Sequence, residues 1–90
     1  MIAIARFAIP ASEAVQFLAS ADLALAALSA CPGYLMGQAG QNTDDPNLWT
    51  LVTLWENVGS YRRALGNYDV KMESIPLLAR AIDEPGAYVR

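Results

Sequence analysis

The 90-residue sequence contains no histidine and only one cysteine, Cys31. Without histidine, the chain has no imidazole to act as a general base, a haem ligand or a zinc ligand. A single cysteine cannot form a disulfide within the chain, which is typical of a reducing compartment. We therefore expect a cytoplasmic protein with no metal site, in which any acid–base chemistry falls to Asp, Glu, Tyr, Lys or the one thiol.

Charged residues are also few. Six Lys and Arg against nine Asp and Glu give a net charge of −3 at pH 7, and the cations form no cluster. Because binding to phosphates requires clustered cations, we predict no nucleic-acid partner. No run of 18 uncharged apolar residues occurs, so we predict no membrane-spanning helix and no membrane partner.

Hydrophobic residues are plentiful for a chain of this size. They make up 54% of the sequence, and residues 1–90 are long enough for one domain. A small domain has a large surface relative to its volume. Some of this apolar surface is therefore expected to meet a partner.

The segment 48–65 begins as a strand and ends as a helix. Residues 48–55 have the composition of a strand, and neither of its faces is polar. One face carries Trp49, Leu51, Thr53 and Trp55, and the other carries Thr50, Val52 and Leu54. An antiparallel sheet with one wet face should alternate apolar and polar residues. We therefore expect helices to cover one face and a second copy of the chain to cover the other.

The N-terminal third predicts a strand over 1–9 and a helix over 13–29. The strand is again apolar on both faces except at Arg6. Ser12 is a suitable N-cap for the helix. The apolar stripe of this helix is predicted to contain Val15, Leu18, Leu25 and Leu28, widened by Phe17, Ala21 and Ala24.

The rest of the chain predicts a hairpin, two helical regions and a last strand. Residues 34–41 form the second strand, and a polar loop over 42–47 joins it to the third. A helix runs from an N-cap at Asn57 to Gly66. A broken helix follows, capped by Asp69 and restarting near Pro76 towards Ile82, and a strand over 87–90 ends the chain.

The predicted order is β-α-β-β-α-β. This order is the ferredoxin-like, split βαβ arrangement of an α+β domain, with an antiparallel sheet and both helices on one face. The uncovered sheet face then predicts a homodimer in which two sheets pack face to face.

Four features carry a resemblance to a known family: Pro32-Gly33-Tyr34, Asp45-Pro46, Trp55-Glu56 and Tyr61. With the element order, they resemble the antibiotic biosynthesis monooxygenase superfamily of dimeric α+β barrel proteins. The resemblance implies a monooxygenase that needs no cofactor and oxidises an anthrone-, phenol- or quinol-like aromatic with molecular oxygen. It covers nearly the whole chain.

The resemblance also implies site residues. In the polyketide oxidases of the family, a tryptophan at the end of the third strand and a tyrosine six residues later lie in the active cleft, and Trp55 and Tyr61 match them as catalytic residues. Their asparagine four residues before the tryptophan is Leu51 here. The haem-degrading branch uses an asparagine on the first strand and a histidine. This chain has Arg6-Phe7 at that place and no histidine, so haem degradation is excluded.

Alternative interpretations stay open for these residues. Trp55 and Tyr61 can be core residues at a strand–helix junction. Trp55 and Trp49 can instead form the wall of an aromatic-ligand pocket. Arg6 can stabilise an anion in that pocket, form a structural pair with a glutamate such as Glu56 or Glu73, or extend its head group to the sheet edge. The chain as a whole is either an enzyme or a non-catalytic homodimer that binds a small hydrophobic ligand or serves as an accessory in a biosynthetic pathway.

Overall fold

The computed structural model describes residues 1–90. Its elements are β1 (Ile2–Ala8), a 3₁₀ turn (Ala11–Glu13), α1 (Ala14–Ser29), β2 (Tyr34–Gln41), β3 (Leu48–Trp55), α2 (Val58–Leu65), α3 (Tyr68–Glu73), α4 (Ile75–Leu78) and β4 (Ala87–Tyr88). The four strands form one sheet in the order β2-β3-β1-β4, and every neighbouring pair is antiparallel. The predicted α+β, ferredoxin-like arrangement is confirmed.

The helix caps agree with the sequence at α2 and differ elsewhere. Asn57 caps α2, because its side chain accepts a hydrogen bond from the Ser60 backbone N–H. The cap predicted at Asp69 is wrong: Asn67 caps α3 and accepts from the backbone N–H groups of residues 69 and 70. The cap predicted at Ser12 is also wrong, since Ser12 lies within the 3₁₀ turn and Glu13 occupies the N-cap position of α1 without a side-chain bond.

The predicted break between α3 and α4 is confirmed, but α4 is shorter than expected. Ser74 lies at the break, fully buried, and its Oγ donates to the Ala24 carbonyl at 3.0 Å. The helix ends at Leu78 rather than continuing to Ile82. The Ile82 backbone N–H instead donates to the Arg6 carbonyl at 2.8 Å, so the chain has already turned to run along β1.

The predicted buried stripe of α1 is only partly correct. The buried residues are Phe17, Ala21, Ala24 and Leu28. Val15 is 85% exposed and Leu18 is 38% exposed. This helix is apolar on nearly every side, so periodicity does not select one face. The face of α1 that carries Ala21 and Ala24 lets the helix backbone approach the sheet closely. This packing determines which side of the helix is buried.

The segment that contains α1 is relevant to the prediction that no helix spans a membrane. By length and composition alone, Ala11–Ser29 is long and apolar enough to cross a membrane, a test that the core helices of soluble proteins also pass. Here the Phe17 side of the helix packs against the sheet in a hydrophobic cluster with Phe7 and Trp49.

The two faces of the sheet differ in burial. Along β3, the side chains predicted to share a face are all buried beneath the helices, as expected: Trp49, Leu51, Thr53 and Trp55. The alternate residues of β3 are half-buried on the other face. There, Met36 and Ile2 lie on either side of Leu54, and Tyr88 pairs with Ile2. A row of apolar side chains therefore crosses the open face from one sheet edge to the other.

Candidate active site

A cavity of about 270 Å³ lies on the helix-covered side of the sheet. Eight of its eleven lining residues are hydrophobic. All eleven come from β1, β3, three helices and the C-terminal segment: Ala3, Ile4, Ala5, Leu28, Leu51, Thr53, Tyr61, Leu78, Glu84, Gly86 and Ala87. Mostly apolar hollows with a few polar groups are the usual form of small-molecule sites.

The cavity exists because small residues occupy the middle of this sheet face. Thr53 pairs with Ala3 on one side and with Gly37 on the other. Leu51 likewise lies between two alanines on the neighbouring strands. Aromatic side chains stand at both ends of β3, so the space between them is left unfilled.

Tyr61 is the sequence-predicted residue that lines this cavity. It lies on the first turns of α2, and its phenol makes no hydrogen bond within the protein. Burial raises the pKa of Tyr61 above its usual value of 10.0. The hydroxyl therefore keeps its proton at neutral pH and can act as a hydrogen-bond donor.

The Pro32-Gly33 turn holds α2 in place. Gly33 has a φ of 89°, and a Cβ at this position would overlap the Ser60 side chain. The Glu56 backbone N–H donates to the Gly33 carbonyl at 2.8 Å. This close approach of the turn to Ser60 positions the neighbouring Tyr61 against the sheet.

Trp55 lies behind Tyr61 rather than on the cavity wall. It is 1% exposed, and its ring packs between Tyr34 at 5.4 Å and Tyr61 at 5.7 Å between centroids. Its Nε1–H donates to the Thr53 Oγ1 at 2.8 Å. Thr53, which does line the cavity, was missed by sequence reasoning. Its position two residues before Trp55, on the same face of β3, was the available signal.

Arg6 does not line this cavity. Its guanidinium donates to both Glu84 carboxylate oxygens, from Nε at 2.8 Å and from the terminal nitrogen at 2.6 Å. The interpretation of Arg6 as one member of a structural pair with a glutamate is confirmed, but the partner is Glu84 and the examples Glu56 and Glu73 are wrong. The C-terminal segment runs along β1 and brings Glu84 beside Arg6, with the Ile4 N–H donating to the carbonyl of residue 86 at 2.7 Å.

Glu84 connects this ion pair to the cavity. The hydrogen bonds from Arg6 lower the pKa of the Glu84 carboxyl below its usual value of 4.5, so it stays anionic at neutral pH. Because Glu84 also lines the cavity, Arg6 can influence a ligand there through this carboxylate.

Trp49 lies at the other end of β3. It packs on Phe17 with ring centroids 5.5 Å apart, and its Nε1 is buried without a hydrogen-bond partner. Trp49 and Arg6 line a separate hollow of about 310 Å³. The structure therefore brings Trp55 and Tyr61 together and places Arg6 and Trp49 around a different space.

Other reactive groups lie outside the cavity. Cys31 is buried, and burial raises the pKa of its thiol above 9.0, which leaves little thiolate at neutral pH. No three His, Cys, Asp or Glu side chains lie close enough together to hold a metal ion.

Solved structures share this fold. SnoaB, a cofactor-independent oxygenase from Streptomyces nogalater, aligns with a TM-score of 0.79 and 20% identity over 99% of this chain and 91% of its own. A conserved protein from Methanosarcina mazei Go1 aligns with a TM-score of 0.77 and 16% identity over 96% of this chain and 84% of its own. At these identities, the similarity demonstrates the fold.

Sequence comparison identifies the family. No curated protein sequence matches the chain. The antibiotic biosynthesis monooxygenase family matches residues 1–71, a range that contains Thr53, Trp55 and Tyr61. Because this match spans most of the sequence, the chain belongs to the antibiotic biosynthesis monooxygenase family.

Proposed function

We propose that this protein is a cofactor-independent monooxygenase that oxidises an electron-rich aromatic compound, anthrone-, phenol- or quinol-like, with molecular oxygen. The observation that carries the proposal is a mostly apolar cavity lined by Tyr61, whose protonated hydroxyl has no hydrogen-bond partner within the protein. Membership of the monooxygenase family supports it. The shared fold of SnoaB, itself a cofactor-independent oxygenase, adds further support.

The chemistry requires little from the protein. For an anthrone, the ring CH₂ and O₂ are converted to a ring C=O and H₂O, so the substrate supplies all the electrons and both hydrogens of the water. Negative charge develops on the substrate carbonyl oxygen when the CH₂ loses a proton, which ends in the product water. A donor aimed at that oxygen stabilises the charge, and apolar walls strengthen the interaction by excluding water.

The residues divide these tasks. Tyr61 is the proposed donor to the substrate oxygen, and Trp55 supports the Tyr61 ring from behind. Arg6 is proposed to act on the ligand through Glu84, whose carboxylate it holds at the cavity wall. Trp49 is proposed to contact a ligand only in the separate hollow that it lines.

The apolar face of the sheet supports a further proposal, a homodimer formed through this face. The single cysteine supports the proposal that this homodimer is cytoplasmic. Proteins of this family are typically dimeric. In a single chain, Met36 of this apolar row is 50% exposed, and its neighbour Leu35, at the irregularity in β2, is 58% exposed. Burying these side chains against a second copy would remove them from water.

One feature favours a second candidate function, non-catalytic binding of a small hydrophobic ligand. Leu51 lines the cavity and is 3% exposed, so an inert side chain occupies a central place in the wall. A pathway accessory protein would need the same apolar cavity but no oxygen chemistry. Activity measurements separate the two functions.

Oxygen uptake tests the proposal. The purified protein would be mixed with anthrone in an oxygen electrode, and quinone formation followed by absorbance, with heat-denatured protein as the background for autoxidation. We expect protein-dependent uptake of one O₂ per quinone formed. Tyr61→Phe should lower the rate about 10²-fold or more, the scale of a lost charge-stabilising donor.

A matched tyrosine provides the control. Tyr68 is 74% exposed on α3, so Tyr68→Phe should leave the rate unchanged. If anthrones, phenols and quinols all bind without oxygen uptake above background, the protein is the ligand-binding alternative. If Tyr61→Phe has the wild-type rate, Tyr61 has no catalytic role.

Light scattering tests the dimer. We expect a mass twice the 9.7 kDa of one chain at micromolar concentration. Val52→Glu, on the open face of β3, should yield monomers, because it places a charge in the proposed interface. Leu23→Glu on the exposed surface of α1 is the control and should remain dimeric. A wild-type particle of 9.7 kDa would refute the dimer.

A further inference from the structure

Thr53 is a polar residue in the wall of an otherwise mostly apolar cavity. It lies near the middle of the helix-covered sheet face and is 4% exposed. A buried hydroxyl without hydrogen bonds destabilises the folded protein. The hydrogen-bond partners of Thr53 therefore indicate what the hydroxyl does.

The hydrogen bonding of Thr53 is incomplete in a specific way. Indole Nε1–H can only donate, so in the 2.8 Å contact with Trp55 the Thr53 oxygen is the acceptor. The hydroxyl proton remains, and Thr53 Oγ1 donates to no acceptor within the protein. Thr50, on the other face of the same strand, differs, because its hydroxyl donates to the Ala5 carbonyl at 3.2 Å.

The rotamer of Thr53 keeps its methyl group away from the cavity side of the strand. A Cβ on Gly37 of β2 would lie 3.1 Å from the Thr53 Cγ2, so the methyl group faces β2. The cavity extends in the opposite direction, towards Ala3 and Ala5 of β1. The Trp55 indole holds this rotamer by bonding to the hydroxyl oxygen.

We propose that the Thr53 hydroxyl is a second hydrogen-bond donor to the cavity ligand, beside Tyr61, and that Trp55 is a positioning residue that acts through Thr53. The inference rests on the proposed function, since it takes the cavity as the binding site. It narrows the ligand class to aromatic compounds with at least one acceptor oxygen, such as a ketone or a phenolate. Such compounds should bind more tightly than hydrocarbons of the same shape.

A pair of matched ligands tests the donor without any turnover. α-Tetralone and tetralin share two fused rings and differ in one carbonyl oxygen, and their affinities would be measured by calorimetry. Thr53→Val keeps the shape of the side chain and removes the hydroxyl. We expect it to weaken α-tetralone binding about fivefold, the effect of one net hydrogen bond, and to leave tetralin binding unchanged.

Two variants of the same kind serve as controls. Thr53→Ser retains the hydroxyl and should keep the preference for α-tetralone. Thr50→Val makes the same chemical change on the other face of β3 and should alter neither affinity.

The role of Trp55 is tested by a double-mutant cycle. Trp55→Phe removes the indole N–H and should weaken α-tetralone binding severalfold, because the Thr53 hydroxyl loses its fixed orientation. In the Thr53→Val background, the same change should cause no further loss in the preference for the ketone. The double variant also removes the Trp55 indole N–H that Thr53→Val alone would leave without a partner, so it provides the measurement if Thr53→Val alone does not fold.

The outcomes separate this inference from the proposed function. Equal loss of both ligands in Thr53→Val, or no loss of either, would refute the donor role while the cavity remains a binding site. Additive losses in the cycle would refute the positioning role of Trp55. If neither ligand binds the wild-type protein, both the inference and the proposed site are wrong.

Discussion

The two ends of β3 carry the chain's two tryptophans on the same sheet face, yet their surroundings differ. Trp49 is 7% exposed and Trp55 is 1% exposed, and each packs against tilted aromatic rings. The Trp55 indole has a hydrogen-bond partner, and the Trp49 indole has none. Burial alone therefore does not distinguish the two tryptophans; their hydrogen-bond partners do.

The difference originates on the neighbouring strand. Phe7 of β1 lies opposite Trp49 and packs on Phe17 at 5.1 Å between ring centroids, which fills that end of the sheet. Ala3 lies opposite Thr53 and leaves the space beside Thr53 open. Large and small residues on one strand thus determine where the core stops and the cavity begins.

The largest effect should follow from emptying the filled end. Phe7 is fully buried, so Phe7→Ala should lower the free energy of unfolding by roughly 3–5 kcal/mol. Tyr61→Ala should cost less, because Tyr61 is half-buried and already borders empty space. Urea denaturation would measure both. Equal losses would mean that the two ends are packed alike.

Enlarging a small side chain should cost less stability beside the cavity than in the packed part of the sheet. Ala5 and Ala39 flank Leu51 on opposite sides, but only Ala5 lines the cavity. Ala39→Leu should destabilise by about 1–3 kcal/mol through overpacking. Ala5→Leu should cost less, since it enters free space, and it should weaken α-tetralone binding. Thermal unfolding and calorimetry test this, and wild-type ligand affinity in Ala5→Leu would place the ligand elsewhere.

Removing each indole N–H compares the two tryptophans directly. Trp55→Phe and Trp49→Phe delete similar volumes, but only the first breaks a hydrogen bond. Trp55→Phe should therefore cost about 1 kcal/mol more in the free energy of unfolding, the net value of one such bond. Losses of equal size in urea denaturation would show that the bond to Thr53 contributes nothing to stability.

The smallest effect concerns the ion pair beside the cavity. The pKa of Glu84 is lowered in the folded state, so its contribution is present above the usual carboxyl pKa of 4.5 and is lost as the pH falls through the lowered value. Wild type should therefore melt slightly above Glu84→Gln at pH 7, and the two should converge in acid. Glu73→Gln, which breaks no ion pair, is the control. A difference that persists at pH 2 would contradict this assignment.

Much of the fold follows from local patterns. The bounds of β2, β3 and α2 agree with the sequence because hydrophobic composition, a strong N-cap at Asn57 and Gly66 mark them. The buried face of α1 does not follow, because an alanine- and leucine-rich helix has no distinct polar side. Only packing against the sheet determines that Phe17 is buried and Val15 is exposed.

The candidate site is less predictable from sequence. The positions of Trp55 and Tyr61 were available from the family resemblance. The partner of Arg6 was not, since Glu84 lies 78 residues away and reaches it through the path of the C-terminal segment. The role of Thr53 depends on a side-chain rotamer, which strand alternation does not specify.

The most direct test follows the two indole N–H resonances in a ¹⁵N-labelled protein during titration with α-tetralone. Trp55→Phe and Trp49→Phe samples would assign the two signals. If the cavity beside Tyr61 and Thr53 is the binding site, the Trp55 resonance should shift with ligand concentration while the Trp49 resonance stays in place. A shift of the Trp49 resonance alone would place the ligand at the other end of β3 and contradict the proposed site.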